Sequence, residues 1–430
     1  MVTGRSFLEL NLWQRIFAEH WESFVKSYAR THGNPPPEHW EENVDRMLRC
    51  GDIREGYYEY LCEQCGAIRK VGFTCKSRLC LRCFKTAIDD WLKRTTNVLF
   101  EGVVHRQVVL TIPRCLRPLV LSDAVFMKAF MDAGAESIRR LVEQWRPKQR
   151  IRIGMMAVMQ LHGRSGTQNP HLHFVVSEGG VDRLGRWRTV NYFDTRKLRK
   201  VWQYQVVMSL KKAVRGTDFQ TEWSSKLGST FRRYPSGFDC HCLPEKGPVE
   251  RLLIYLCKYV SSPAISLRRI SGYDGHNVRY RFEDHRRGKV CETLPAVDFI
   301  GRMIRNLPPK GFRMVRYYGM YARPVRQKIH DKVANVLRRL VQRVESVARR
   351  FGGHSRRNDH SNHGTATLGK APMRCVRCGS TDLILLRIWD KCRGVLYDAI
   401  RDGPTPFEPP PVQTAPTPPV ARFEQMVLAI

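Results

Sequence analysis

Between residues 50 and 83 the chain places six cysteines: Cys50, the pair in "CEQC" (Cys62, Cys65), and the three in "CKSRLCLRC" (Cys75, Cys80, Cys83). Two C-x-x-C pairs separated by 14 residues constrain the backbone to two tight knuckles, since four thiolates around one Zn²⁺ must converge tetrahedrally. The expectation is a zinc ribbon held by Cys62, Cys65, Cys80 and Cys83. Cys50 and Cys75 exceed one four-ligand site; they replace a ligand, join a second site, or are small buried residues. Zinc is favoured over disulfides because "MVTGRSFLELNLWQ" lacks the apolar stretch of a secretion signal and no run approaches a membrane helix, so a reducing cytoplasm is expected.

The charge narrows the partner. Lys and Arg number 73 against 40 Asp and Glu, a formal net charge of +33, and the basic residues recur from Arg69 to Arg357 without forming one tail. Such a field attracts polyanions, nucleic acid first among them. Arg69, Lys70, Lys76, Arg78 and Arg82 thread the cysteine region, either facing a phosphate backbone or forming a solvated face.

Hydrophobic periodicity places helices over "FLELNLWQRIFAEHWESFVKSYAR", over "TAIDDWLKRTTNVL" and over about 121–145. "HRQVVLTIP" reads as a strand stopping at Pro113, and "IRIGMMAVMQLHG" and "NPHLHFVVSEGG" as two strands joined by the turn 163–170. This β-α-β-β order is typical of an antiparallel sheet with helices on one face. Side chains at i and i+2 of a strand share a face, so His171 and His173 present two imidazoles together, a pair able to grip one metal ion. "GPVERLLIYLCKYVSSP" reads as a helix closing near Pro263; Tyr255 and Tyr259, four apart, lie one turn apart on one face.

These pieces resemble the two-tyrosine HUH transposases of the insertion-sequence ninety-one group, relatives of rolling-circle initiators with an N-terminal transposase zinc-binding domain. The histidine-hydrophobe-histidine signature is matched by His171, Leu172 and His173, the preceding strand by "GMMAVMQLHG", and the paired-tyrosine helix by "YLCKYVSSPAIS". The cysteine region, "LTIPRCLRP", "VRYYGMYARPVRQ" and "MRCVRCGSTDLILL" extend the similarity over most of residues 50 to 400. Leu81, where the family usually has proline, and "SSP" after Tyr259, where a basic residue and two prolines are usual, depart from it.

The resemblance implies a divalent ion, Mg²⁺ or Mn²⁺, held by His171, His173 and a third polar side chain. Gln160 at the end of the preceding strand is the choice and His162, of the same facing, the alternative. It implies that Tyr259 and Tyr255 form 5′-phosphotyrosine links to single-stranded or extruded DNA at element ends and target, in rolling-circle transposition within the bacterial cytoplasm and nucleoid. No membrane or small-molecule substrate is expected. A plasmid replication initiator or relaxase shares this chemistry, and a non-catalytic zinc-ribbon regulator needs only the cysteines and the charge. No G-x-x-x-x-G-K-[ST] motif of a fused helicase occurs.

The expected class is α+β. Residues 1–100 form a helical, Cys-rich zinc- and DNA-binding domain, and 101–325 the catalytic domain. Residues 326–400 hold a basic helix, a linker and "CVRC" (Cys375, Cys378), which resembles half a zinc ribbon; Cys392 is the only later cysteine, so four local thiolates for a zinc knuckle do not exist. Residues 401–430 are a disordered tail, "GPTPFEPPPVQTAPTPPV" carrying 8 of the 24 prolines.

Overall fold

The computed structural model describes residues 10–83, 91, 95, 98–100, 103–145, 147–190, 194–247, 256, 264–284, 286–328 and 374–403. Most of the expected helix "TAIDDWLKRTTNVL", the expected basic helix and linker after residue 328, the Pro-rich tail, Tyr255 and Tyr259 lie outside the described residues. The chain divides into two compact units, one of Met1–Gly51 with Thr74–Lys370, the other of Asp52–Phe73 with Ala371–Ile430. It is an α+β protein, as its sequence pattern indicates.

In the larger unit, helix α1 (Leu12–His32) starts where the Asn11 side chain accepts from the Gln14 N–H while the Gln14 amide oxygen accepts from the Asn11 N–H, a reciprocal cap. Its apolar stripe buries Trp13, Ile16, Phe17 and Phe24, and α2 (Glu38–Leu48) adds Trp40, Val44 and Met47. The expected strands appear as β3 (His105–Thr111), β4 (Arg152–His162) and β5 (Gln168–Val181). Between β3 and β4 run α3 (Arg117–Ser122) and α4 (Ala124–Trp145). After β5 come β6 (Trp187–Thr189), α5 (Thr195–Val214, with Asp194 capping the Lys197 N–H), α6 (Gln220–Arg233) and β7 (Cys240–Gly247).

These strands and β11 (Val315–Gly319) form a six-stranded antiparallel sheet, ordered β11-β4-β5-β3-β7 with β6 on β5. Alternation sorts its residues by face. Leu110, Met155, Ala157, Leu172, Phe174 and Val176 pack under α3 to α6. α4 lies close enough to β5 that a Cβ on Gly134 would stand 2.6 Å from Leu172 Cδ1, a contact only glycine avoids. The opposite face carries a smaller core, including Met156, Val158, Val175, Phe100, Tyr321 and Leu256.

A second sheet in this unit, β8 (Ile270–Tyr273), β9 (Asn277–Asp284) and β10 (Gly288–Pro295), followed by α7 (Ala296–Ile304), shares an aromatic core with α1 and α2. It also grips the β4–β5 turn: Tyr280 Oη donates to Ser165 O (3.1 Å) and Asn306 Nδ2 to Gly166 O (2.8 Å).

The smaller unit holds a four-stranded sheet, ordered β13-β12-β1-β2, from β1 (Gly56–Cys62), β2 (Ile68–Gly72), β12 (Leu383–Asp390) and β13 (Gly394–Asp398). β1 and β12 pair antiparallel from Gly56↔Asp390 to Cys62↔Leu383. The N-terminal cysteine region and the "CVRC" segment, expected in separate domains, thus contribute to one sheet.

Candidate metal centres and active site

Antiparallel pairing sets Gln160 opposite His171 and Val158 opposite His173, and β3 sets Thr111 and Val109 against the same two histidines. Directly opposed residues share a face, so the His pair, Gln160 and Gln107 all stand on the face carrying Val158 and Val175. The two imidazole centroids are 4.8 Å apart. His171 Nδ1 lies 2.7 Å from Asn169 O. A carbonyl only accepts, so Nδ1 carries the proton and the Nε2 lone pair is left to a ligand. His173 stands between two amides, with Gln107 Nε2 3.3 Å from its Nδ1 and Gln160 Oε1 3.3 Å from its Nε2.

Burial pushes the His171 imidazole down to about 4, helped by the charges of His162 and Arg117, and it holds His173 well below its ordinary value. Both are therefore neutral at pH 7, the form that binds a metal. The donor set of two imidazoles and an amide oxygen fits a divalent ion of intermediate hardness. His162 Nδ1 is 3.2 Å from Gly163 O. At the rim, Arg114 is exposed and Arg117 Nη1 donates to Gln168 O (3.4 Å).

Gln107 escaped sequence reasoning, although its position two residues before Val109 gave its facing. Leu256, directly after Tyr255 in sequence, is helical and fully buried in the core containing Met156, Val158 and Val175, hence on the His-bearing face.

The cysteines are distributed differently from the expected ribbon. Cys62 and Cys65 do not converge with Cys80 and Cys83. Cys80 and Cys83 instead join Cys50 and Cys75, all four sulfurs within 4.8 Å of one another, with Cys50–Cys83 at 3.4 Å and Cys75–Cys83 at 3.6 Å. Cys50 and Cys75, surplus by spacing alone, complete this site. Cys50, Cys80 and Cys83 are buried against the α1–α2 aromatic core, where Trp13 Nε1 donates to Leu79 O (3.0 Å). Within the quartet the shared sulfur contacts push the Cys83 thiol down and those of Cys75 and Cys80 up, so Cys83 loses its proton before they do. Cys62 and Cys65 meet Cys375 and Cys378 in a second quartet, again within 4.8 Å. The reason for the difference is the long-range β1–β12 pairing, which local spacing does not encode. Of the basic residues threading this region, Arg69 donates to Arg374 O (3.0 Å) and Lys70 stands 3.6 Å from Glu59.

Two family descriptions match this chain, "Transposase zinc-binding domain" over residues 16–112 and "Putative transposase" over residues 154–328. Over both segments the chain is thus similar to transposases that carry this zinc-binding domain. It is 25% identical over 353 residues to the transposase for insertion sequence element IS801 of Pseudomonas savastanoi pv. phaseolicola, covering 79% of this chain and 82% of the relative. It is 26% identical over 362 residues, 80% and 88% of the two chains, to "Putative transposase y4qJ" of Sinorhizobium fredii. No solved structure matches it. A transposase acts on DNA, which accounts for the charge, and the zinc-binding domain with its cysteine clusters supports structural Zn²⁺. Among the described residues no helix is long and apolar enough to cross a membrane.

Proposed function

We propose that this transposase is an HUH-type single-strand endonuclease and strand transferase, working through a 5′-phosphotyrosine in rolling-circle transposition of an insertion sequence. The observation that carries this reading is the convergence of His171, His173 and Gln160 on one sheet face, with Leu256 buried on that same face beside the sequence position of Tyr255.

His171 and His173, with Gln160, would hold Mg²⁺ or Mn²⁺, and the ion would supply Lewis-acid chemistry at the scissile phosphate. The His171 bond to Asn169 O fixes its tautomer. His173 exposes Nε2 when Gln107 turns its amide so that Oε1 accepts from Nδ1–H; a two-fold rotation suffices. Arg114 and Arg117 hold the flanking phosphates. The Tyr259 hydroxyl gives up its proton and attacks phosphorus; the bond to the 3′ oxygen breaks, and that oxygen leaves as a hydroxyl after gaining a proton. The phosphodiester energy is kept in the new link, so a 3′-hydroxyl rejoins by the reverse attack. Tyr255 serves the second transfer, holding one end while the other is exchanged. The substrate is single-stranded or extruded DNA at element ends and target. The transposase relatives favour transposition over replication initiation, and a purely DNA-binding regulator leaves the His–Gln cluster without a purpose.

A labelled single-stranded oligonucleotide carrying the element end, incubated with Mn²⁺, should become covalently attached to the denatured protein, with Tyr259 identified by mass spectrometry of the trapped peptide. Tyr259→Phe should lose most of the adduct. Tyr255→Phe should keep the first adduct and fail to complete transposition. An adduct on another residue, or none with the native chain, would overturn the mechanism.

A further inference from the structure

Among its described residues the smaller unit buries few apolar side chains, its aromatic pairs Tyr57–Trp389 and Tyr58–Phe73 being only half-buried. Among its described residues the buried apolar side chains are Cys62, Cys375 and Ile388, and two of these are thiols. A sheet of two hairpins is marginal without something else to hold it.

What the two hairpins share is a duplicated knuckle. "CEQCG" and "CVRCG" each fold so that the glycine N–H donates to the carbonyl of the first cysteine, Gly66 to Cys62 at 2.9 Å and Gly379 to Cys375 at 3.0 Å. In each, the first cysteine's N–H donates five residues on, Cys62 to Ala67 O (3.0 Å) and Cys375 to Ser380 O (2.7 Å). Both glycines are left-handed, at φ +69° and +77°, a backbone that a side chain would strain. The Arg377 N–H points at Cys375 Sγ (3.4 Å), the amide-to-sulfur contact that stabilises a thiolate.

The sulfurs pair across the knuckles, Cys62–Cys378 and Cys65–Cys375, each at 3.5 Å, between residues 316 and 310 positions apart. A disulfide needs about 2.05 Å. Four thiolates on tetrahedral zinc, at about 2.3 Å from the metal, stand about 3.8 Å from one another. The spacing is that of ligands, and two disulfides would pull the quartet into two separate pairs.

We propose that Cys62, Cys65, Cys375 and Cys378 hold a second structural Zn²⁺, so that the transposase carries two zinc ions per chain and the C-terminal knuckle, outside both matched family segments, is an integral half of the N-terminal zinc module. The metal supplements the small core and closes the chain into a loop. This is independent of the proposed cleavage chemistry, because neither quartet contains a residue of the His–Gln cluster.

The full chain, purified without chelator, should contain two zinc ions by elemental analysis. Cys375→Ser and Cys62→Ser should each leave one, and combining them should still leave one, because they empty the same site. Cys80→Ser should also leave one, and combined with Cys375→Ser none. If a serine variant does not fold, the native chain with Co²⁺ in place of Zn²⁺ gives a second reading: two tetrathiolate equivalents by its thiolate-to-metal absorption. One zinc in the native chain, iron at the second quartet, or loss of a single shared zinc by Cys62→Ser combined with Cys80→Ser would each overturn the proposal.

Discussion

The six-stranded and four-stranded sheets place their proposed metal-ligand residues in opposite ways. The first has a hydrophobic core on each face and carries its His pair on a strand whose alternate residues, Leu172, Phe174 and Val176, are buried under two long helices. Apolar packing on both faces positions the site. Of apolar side chains among its described residues, the second sheet buries only Ile388 and two thiols of its quartet, with half-buried aromatic pairs, Tyr57–Trp389 and Tyr58–Phe73, beside them. There the ligands must supply the stability themselves. The Cys50 quartet is intermediate, thiols set into an aromatic core already closed by Trp13, Phe17 and Phe299.

The largest effect separating the two is on activity. His171→Ala or His173→Ala should abolish DNA cleavage while leaving the zinc content and the thermal midpoint of the six-stranded unit nearly unchanged. Either variant cleaving at the native rate would break the comparison at its catalytic end.

Stability gives the next test. Trp202 is fully buried beneath the six-stranded sheet and donates to Thr111 O at 2.7 Å. Trp202→Ala should cost about 3–5 kcal/mol by leaving a cavity without releasing metal. Removing zinc from the four-stranded sheet by Cys62→Ser should instead open residues 374–403 to protease and leave the larger unit folded. Segment-resolved hydrogen exchange distinguishes these, and protection of 383–398 in the zinc-free variant would show that the small sheet needs no metal.

What could be read from the sequence follows the range of each signal. The His pair, its strand, its partner strand and Gln160's facing come from a period of two between neighbours joined by a short turn, and the structure brings Gln160 Oε1 to 3.3 Å from His173 Nε2. α1 and α4 come from the helical period, whereas α5 and α6, which pack on the same face of the sheet, were not read from it. The cysteines announced metal but not their partners: Cys62 and Cys80 are near in sequence and belong to different quartets, whereas Cys62 and Cys378 are 316 positions apart and meet. Connectivity among several cysteines depends on topology, and pairing β1 with β12 leaves no local trace. β8 to β10 and α7, which hold the turn before His171, were not anticipated either.

Gln107 sharpens the comparison inside the large sheet. It is buried and touches His173 without being one of the proposed ligands, so Gln107→Leu should weaken divalent-ion affinity about 10- to 100-fold, the usual effect of losing an outer-shell partner. Cleavage should recover at high Mn²⁺, which a merely misfolded variant would not do.

The smallest effect is on the pH dependence of folding. His105, fully buried in β3 beside Tyr321 Oη, is pushed down by burial from 6.5 to about 4. In the unfolded chain it protonates near its ordinary value, so below that pH the unfolded state binds the extra proton. The six-stranded unit should keep its full stability above about pH 6.5 and lose it as pH falls toward 4, by at most about 1.4 kcal/mol per pH unit from this one group. The smaller unit's segments, 52–73 and 371–430, contain no histidine. Its acid loss should come from protons displacing zinc at the thiolates, and a chelator at neutral pH should reproduce it. His105→Gln should reduce the slope for the large sheet alone, leaving the part that the buried His171 and His173 contribute. If the four-stranded sheet instead lost protection in acid with its zinc still bound, the thiolates would not be what holds it together.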